Sequence, residues 1–238
     1  MILFYLILGI IPAGLWLYYF RKKDKYRPEA WKHLIVILIV GGFSVFFAAL
    51  VEEFLHGMLG FGDSEFFLAI LFEHTFLVGF VEEAIKFLVV WIFAYHSADF
   101  DEPVDGLIYS AAAAIGFATV ENAFYAMKFG FANFLIRSFL STLAHIMFAA
   151  VWGYELGRYK YEPSHHHKWI ILVALLISSV SHGLFNTLLT KSYLWPLAII
   201  LIAIVMWRIV KEFYRKMLII TKIKIKREKI YIAKEEDL

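Results

Sequence analysis

Long apolar segments constrain the fold of this chain more than any other feature. Stretches of about 20 mostly apolar residues, enough helix to cross the hydrocarbon core of a bilayer, recur along the sequence between short charged strips. Hydrophobic residues make up 61% of the chain, above the roughly 45–50% of an average soluble domain. This pattern excludes a soluble enzyme, a disordered regulator and a nucleic-acid-binding protein. It predicts an all-α, multi-pass bundle of transmembrane helices in the cell membrane, in contact with the lipid bilayer.

Seven segments are long and apolar enough to be interpreted as spans. They lie at about 2–20, 33–56, 74–95, 107–127, 133–157, 169–190 and 193–213. We interpret residues 65–72 as a separate interfacial or re-entrant piece, because one span over 65–95 would be too long for a bilayer. The first segment has no basic residues before it and no clear small-residue cleavage site, so we predict that it is a retained span. The predicted organisation is a transmembrane domain over 1–213 and a basic cytoplasmic tail over 214–238.

Lysine and arginine residues in the connecting segments orient the predicted bundle. Cytoplasmic loops of membrane proteins are enriched in these residues. Eighteen of them lie on one side, in segments 21–32, 158–168 and 211–238, whereas three lie on the other side. This asymmetry places the amino terminus outside the cell and the carboxyl terminus in the cytoplasm. One predicted cytoplasmic loop, 96–106, has no basic residue and does not support the assignment.

Polar residues interrupt four consecutive spans. An ionisable side chain in the bilayer core costs several kcal/mol, so each one is a candidate functional group. These residues are Glu82, Glu83 and Lys86 in the third span, Glu121 and Asn122 in the fourth, His145 in the fifth, and His182 and Asn186 in the sixth. At a rise of about 1.5 Å per residue, in spans that alternate in direction, the glutamates and histidines fall in one layer just outward of the midplane. Convergence at one depth predicts a single reactive site.

A similar motif occurs at the end of the second span. Glu52 and Glu53 form a second Glu-Glu pair, followed by His56. The pair falls at the outer end of its span, where a charge costs little free energy. We therefore interpret it as interfacial and expect its substitution to leave substantial activity.

The order and spacing of the buried polar residues resemble those of the PrsW family of intramembrane proteases. The similarity is carried by Glu82-Glu83-x-x-Lys86, by Asp105-Gly106 leading into Gly116-Phe117-Ala118-Thr119-Val120-Glu121-Asn122, by His145, and by His182-Gly183-Leu184-Phe185-Asn186. It covers about residues 74–190, the predicted catalytic core. That family is related to the CAAX prenyl endopeptidases and the bacteriocin-processing membrane proteases. Ser141, where the wider group often has Phe, and the position of Lys86 both favour the PrsW branch.

The resemblance implies a metalloprotease whose substrate is a single-span membrane protein such as an anti-sigma factor. It implies an active set of Glu82, Glu83, His145, His182 and Asn186, with Glu121 close by.

The available residue types limit the chemistry of peptide hydrolysis. The chain has no cysteine, the predicted spans contain no Asp, and they contain no Ser–Lys or Gly-x-Ser-x-Gly pattern with a base nearby. Two histidines and three glutamates suit a zinc site with two imidazoles and one carboxylate as ligands and another carboxylate as base. The predicted roles are metal ligands for His145, His182 and Glu121, base for Glu82, orienting groups for Glu83 and Lys86, and oxyanion donor for Asn186 or Asn122.

Other mechanisms use the same residues. In a metal-free protease, Glu82 and His145 would activate water while His182 and Asn186 would form the oxyanion hole. A proton- or cation-coupled transporter would use the same Glu and His residues as a relay. Against a transporter, the two halves of the sequence show no evident inverted repeat and no pair of helices broken by Gly or Pro. A non-catalytic scaffold that holds a partner helix is a further alternative.

Overall fold

The computed structural model describes residues 1–60, 65–162, 167–191 and 195–236, and every element in these ranges is helical. The elements are α1 (Ile2–Arg21), α2 (Trp31–Leu59), α3 (Phe67–Glu73), a π-helical segment (His74–Gly79), α4 (Phe80–Phe93), α5 (Asp105–Tyr161), α6 (His167–Lys191) and α7 (Trp195–Glu236). Helices satisfy their backbone hydrogen bonds internally, as a segment surrounded by lipid requires. The all-α prediction is confirmed.

Within the described residues, four helical stretches are long and apolar enough to cross a membrane. They are Ile2–Arg21, Trp31–Leu59, Asp105–Tyr161 and Trp169–Thr190. The third of these has 57 residues and contains both the predicted span 107–127 and the predicted span 133–157. The multi-pass character is therefore supported, whereas the count of seven spans and the orientation of the termini stay predictions.

A single glycine divides α5 into two arms, residues 105–129 and residues 131–161. Gly130 has φ 82° and ψ −176°, a backbone conformation that side chains with a Cβ rarely adopt. The arms run antiparallel, since Gly106 packs against Gly153 near one end while the Asn122 side chain bonds the Arg137 backbone near the other. The predicted fourth and fifth spans thus form a helical hairpin, which brings their polar residues face to face.

The third predicted span is built from three consecutive helical segments. Residues 67–93 pass from α3 through the π-helical segment into α4 without a break, so the expected separate piece at 65–72 is joined to the span for most of its length. A π turn closes i→i+5 hydrogen bonds and rotates the residues that follow it. Gly183 of α6 allows close approach here, because a Cβ at this position would collide with Thr75. This contact holds the π-helical segment against α6, so α4, which follows the segment directly, lies beside α6.

The carboxyl-terminal helix extends through the predicted boundary between the last span and the tail. α7 has 42 residues and continues past residue 213 to Glu236, whereas residues 193–194 of the predicted span lie outside the described residues. The tail part of α7 packs on two loops, since Lys224 Nζ donates to the Asp101 carbonyl at 2.7 Å and Arg27 pairs with Glu228 at 2.8 Å. The basic tail is therefore a docked helix in this structure.

The two arms of α5 form the centre of the bundle. They pack against α1, α2, α4, α6 and α7, and the alanines at 111–114 are fully buried. Small side chains let transmembrane helices approach one another closely. By contrast, α2 exposes large apolar side chains such as Phe43, Phe47 and Leu50 on its outer surface. This inverted distribution is what a lipid-facing helix requires.

Three buried carboxyl groups lie in the loops that precede α2 and α5. Asp24, Glu29 and Glu102 are almost fully shielded from solvent, and the Tyr109 hydroxyl donates to Glu29 Oε2 at 2.5 Å. Burial raises the pKa of Glu29 to about 8 and the pKa of Glu102 to about 7, because a charged carboxylate loses its hydration there.

Stability is expected to fall as the pH rises through this range. A pKa raised by folding means that the folded protein binds the proton more tightly, so its stabilising effect is present at low pH and is lost above about pH 7 to 8. The melting temperature in detergent should therefore decrease between about pH 5 and about pH 8. The double variant Glu29→Gln/Glu102→Gln should show a flatter profile, and the exposed-site control Glu53→Gln should retain the wild-type slope. Equal slopes of melting temperature against pH in all three proteins would contradict the assignment of this pH dependence to Glu29 and Glu102.

Candidate active site

The α4 helix supplies three charged side chains to the centre of the bundle. Lys86 Nζ donates to Glu82 Oε2 at 3.1 Å and to Glu83 Oε1 at 2.8 Å, at i,i+4 and i,i+3 spacing. Glu83 and Lys86 are completely buried, and Glu82 is 6% exposed. Charges this deep persist in a fold when they are paired and hydrogen-bonded. The predicted sharing of one helix face by Glu82 and Lys86 is observed.

Two histidines from neighbouring helices face Glu82. Glu82 Oε2 lies 3.9 Å from His145 Nδ1 and 3.8 Å from His182 Nε2. One ligand atom from each of these three buried residues lies within 4.8 Å of the others, so the group could hold a metal ion. Two imidazoles and one carboxylate form the donor set of many catalytic zinc sites. The chemistry of the residues present therefore fits a divalent metal.

Carboxylates from other positions lie beside the outer nitrogens of both histidines, and of these two contacts the one with His145 has hydrogen-bond geometry. Glu121 Oε2 lies 3.0 Å from His145 Nε2, and Glu83 Oε1 lies 3.3 Å from His182 Nδ1. Metal-binding histidines usually contact a carboxylate or carbonyl through the nitrogen that does not bind the metal, which fixes the ring and its tautomer. The remaining nitrogens, His145 Nδ1 and His182 Nε2, are the two that face Glu82.

Lys86 occupies a central position in the cluster. Its ammonium lies 2.9 Å from His145 Nδ1, in addition to its contacts with both α4 carboxylates, and 4.1 Å from the centre of the Phe117 ring. The ammonium thus contacts the same Glu82 and His145 atoms that would bind a metal. The site attracts a cation, and Lys86 and a metal ion would compete for these atoms.

Glu121 is bridged between His145 and a residue that the sequence analysis did not select. Arg137 lies 3.0 Å from Glu121 Oε2, and its guanidinium stacks on the Tyr125 ring at 3.7 Å. Arg137 is one of the three basic residues assigned to the outer side of the membrane, although it lies inside the predicted fifth span. Its position within an apolar segment is the signal that could have identified it. Glu121 is therefore paired on both sides, whereas Glu82 faces both histidines.

Asn122 is engaged in structure at the hairpin. Its Nδ2 donates to the Arg137 carbonyl at 3.2 Å and to Thr142 Oγ1 at 3.1 Å, while its Oδ1 accepts from Arg137 Nε at 3.0 Å. Both ends of the amide are occupied, so Asn122 clamps the two arms of α5 together. This arrangement does not favour the oxyanion role predicted for it.

Glu83 has two further partners that the sequence analysis missed. Trp152 Nε1 donates to Glu83 Oε2 at 3.0 Å, and Ser178 Oγ donates to the same oxygen at 3.2 Å. Trp152 follows His145 by seven residues, two helical turns along one face, and this spacing is a signal that could have identified it. The contacts fix the Glu83 carboxylate, whose other oxygen lies 3.3 Å from His182 Nδ1.

A cavity of about 440 Å³ lies beside the cluster, toward the predicted outer side. Its wall includes Asn186, which is therefore placed at the cavity and not within the charged group. Other lining residues come from the π-helical segment, both arms of α5 and the end of α6, among them His74, Tyr125, Asn133, Arg137, Ser141 and Thr190. Arg137 links the cavity to the cluster through its contact with Glu121.

Glu52 lies closer to the site than the sequence predicted. Its carboxylate interacts electrostatically with those of Glu82 and Glu121, and its Oε1 is buried without a hydrogen-bond partner. Glu53, the next residue, is exposed. The interpretation of both residues as interfacial therefore fits Glu53 but not Glu52.

Comparison with known proteins decides the family. The profile described as PrsW family intramembrane metalloprotease matches residues 29–210. The chain belongs to the PrsW family. Protease PrsW of Clostridioides difficile (strain 630) is 31% identical over 213 residues, covering 85% of this chain and 87% of that protein. Protease PrsW of Geobacillus kaustophilus (strain HTA426) is 28% identical over 84% of this chain and 85% of that protein.

A third relative has the same description. Protease PrsW of Bacillus subtilis (strain 168) is 28% identical over 84% of this chain and 88% of its own length. No solved structure matches the chain. The resemblance inferred from the polar motifs is thus confirmed, and this PrsW family member is a multi-pass intramembrane protease.

Proposed function

We propose that this chain is an endopeptidase that cleaves a membrane protein in or near the outer half of its span, using a divalent metal ion held by Glu82, His145 and His182. The observation that supports the proposal is the convergence of these three buried side chains, with ligand atoms within 4.8 Å of one another. Membership of a family of intramembrane metalloproteases agrees with it. Zinc is the metal that this donor set suits best.

The proposed ligand set replaces Glu121 of the sequence prediction with Glu82. Glu121 is held by Arg137 and contacts the outer nitrogen of His145, at 3.0 Å in each case. These contacts suit an orienting role, in which Glu121 fixes the His145 ring as Glu83 fixes the His182 ring. Glu82 is the carboxylate that faces both histidines.

The roles of the remaining groups follow from their contacts. A bound divalent ion would polarise the scissile carbonyl and favour ionisation of water. Lys86 donates to Glu82 and Glu83 and so offsets the repulsion between two carboxylates in a medium of low dielectric constant. Asn186, on the cavity wall, is the candidate donor to the developing oxyanion.

The cavity beside the cluster is the proposed entry for the substrate segment. A helical substrate hides its peptide bonds in i→i−4 hydrogen bonds, so the bond to be cut must be unwound before attack. Asn133 and Asn186 line the cavity, and within the described ranges Asn133 Oδ1 is buried without a hydrogen-bond partner. These amides can pair with the backbone groups that unwinding releases.

Metal content of the purified full-length protein is the experiment that tests the proposed ligands. We expect about one zinc ion per chain in the wild type, and a loss of at least about tenfold in affinity in Glu82→Gln and in His182→Ala. Glu121→Gln should bind more weakly than the wild type yet fill the site at saturating zinc, as an orienting residue would. The exposed-site variant Glu53→Gln is the control and should match the wild type.

Three outcomes would contradict the proposal or its ligand set. Protein that is free of metal and fully active in proteoliposomes would favour the metal-free scheme, in which Glu82 and His145 activate water. Flux of protons or metal ions without any cleavage would favour a transporter. Loss of zinc in Glu121→Gln but not in Glu82→Gln would restore the ligand set predicted from the sequence.

A further inference from the structure

A second cavity lies between the end of α1 and the middle of α7. Its volume is about 290 Å³, and Tyr19, Phe20, Trp207, Val210, Tyr214 and Leu218 supply its apolar and aromatic wall. α1 ends here at Arg21 and the chain continues into the charged strip that begins at Lys22. The cavity therefore lies at the carboxyl-terminal end of α1, where an apolar helix meets a charged strip, as at a membrane–water boundary.

Four basic side chains surround this cavity. Lys23, Lys25, Lys211 and Arg215 all contribute to its lining. Arg215 pairs with Glu212 at 2.6 Å. Within the part of the chain that the structure describes, Lys23, Lys25 and Lys211 form no ion pair with a carboxylate. The lining thus has an excess of positive charge, and the buried carboxylate of Asp24 lies close enough to act electrostatically on Tyr214.

Aromatic rings position two of these cations. Tyr19 stacks on Trp207 with ring centres 6.2 Å apart, Lys23 Nζ lies 4.8 Å from the centre of the Tyr19 ring, and Lys211 Nζ lies 5.7 Å from that of Trp207. Tyr and Trp rings favour the headgroup level of a bilayer, where one edge is apolar and the other is hydrated. The ammonium groups are held near the rim, above an apolar wall.

The Tyr214 hydroxyl gives a second and independent indication of a ligand. Tyr214 lines the cavity and is buried, and among the described residues its hydroxyl oxygen has no hydrogen-bond partner. A buried hydroxyl without a partner costs about 1–3 kcal/mol unless a ligand or water satisfies it. A phosphate oxygen bound in the cavity could accept this hydrogen bond.

We propose that this cavity binds the phosphate group of an anionic phospholipid. The lysines provide charge complementarity, the Tyr214 hydroxyl provides a donor, and Val210 and Leu218 offer apolar contact for an acyl chain. A small soluble phosphate would have no use for the apolar wall. The site is separate from Glu82, His145 and His182, and the proposal does not depend on the chemistry proposed there.

Lipid retention by the purified full-length protein tests the proposal. Phosphatidylglycerol bound in detergent is measured by native mass spectrometry for the wild type and for Lys23→Gln/Lys211→Gln. Each basic residue near an anionic headgroup contributes a factor of about five, so we expect the double variant to bind about 30-fold more weakly. Lys22→Gln/Lys216→Gln removes two exposed charges that do not line the cavity, and it should bind within about twofold of the wild type.

Tyr214→Phe provides a test that a folding defect would not imitate. Removing an unpaired buried hydroxyl should leave the melting temperature unchanged or raise it, while affinity for phosphatidylglycerol falls by about tenfold. Wild-type affinity in both Tyr214→Phe and Lys23→Gln/Lys211→Gln would overturn the proposal.

Two ligand comparisons complete the design. Zwitterionic phosphatidylcholine should bind far more weakly than phosphatidylglycerol, and equal binding would overturn the requirement for an anionic headgroup. Excess soluble glycerol phosphate should fail to displace the lipid. Full displacement would show a site for a free phosphate ester and would overturn the assignment to a lipid.

Discussion

Glu82→Gln and His182→Ala are each expected to abolish cleavage while the protein persists in the membrane at its normal level. Glutamine cannot match a carboxylate as a metal ligand, and alanine can neither bind metal nor donate a hydrogen bond. Loss of either group should lower the rate by about a thousandfold or more. The measurement compares membrane-protein fragments from cells that express the wild type or a variant, with the amount of protease determined by immunoblot.

Glu53→Gln is the matched control for this experiment. It removes an exposed carboxylate from a Glu-Glu pair that resembles the pair at 82–83, and it should cleave as the wild type does. Glu52 is not suitable as a control, because its carboxylate interacts with those of Glu82 and Glu121. Equal loss of cleavage in Glu53→Gln and Glu82→Gln, with protein levels unchanged, would show that the site has been assigned to the wrong motif.

Helix length and alternating direction were sufficient to predict from the sequence that these residues meet in one layer. The layer that contains Glu82, Glu83, Glu121, His145 and His182 is one connected cluster in the structure. Depth depends on the rise per residue, which hardly varies along a helix. The rotation of each helix about its axis depends on packing against its neighbours. The members of the cluster could therefore be predicted from the sequence, whereas the carboxylate that faces both histidines could not.

The rotation of α4 about its axis illustrates what could not be predicted from the sequence. The π-helical segment at His74–Gly79 changes the direction of the side chains that follow it in α4. None of its residue types is specific for a π turn. Its contact with Gly183 of α6 then fixes the result. Gly130 is a similar case, since glycine occurs at many positions in transmembrane helices without breaking them. Tertiary contacts decide whether a helix contains a π turn and whether a glycine breaks it.

The position of the cut in the substrate is the second large effect that we expect. The cavity beside the cluster is lined by residues near the outer ends of the predicted fourth, fifth and sixth spans, including Asn133 and Asn186. A substrate helix frays more readily near the interface than in its middle, so less free energy is needed to expose a peptide bond there. We therefore predict a cut in the outer half of the substrate's span or just outside it.

Substitutions in the substrate should change the rate in a direction set by helix stability. Two Gly residues next to the cut lower helix stability by about 1 kcal/mol each relative to Ala, so the rate should rise by up to about 30-fold where unwinding limits it. Replacing polar residues there with Leu or Ala should slow cleavage. Sequencing the new termini gives the position of the cut. A cut on the cytoplasmic side would contradict the predicted orientation of the bundle, because the cavity would then open toward the other face of the membrane.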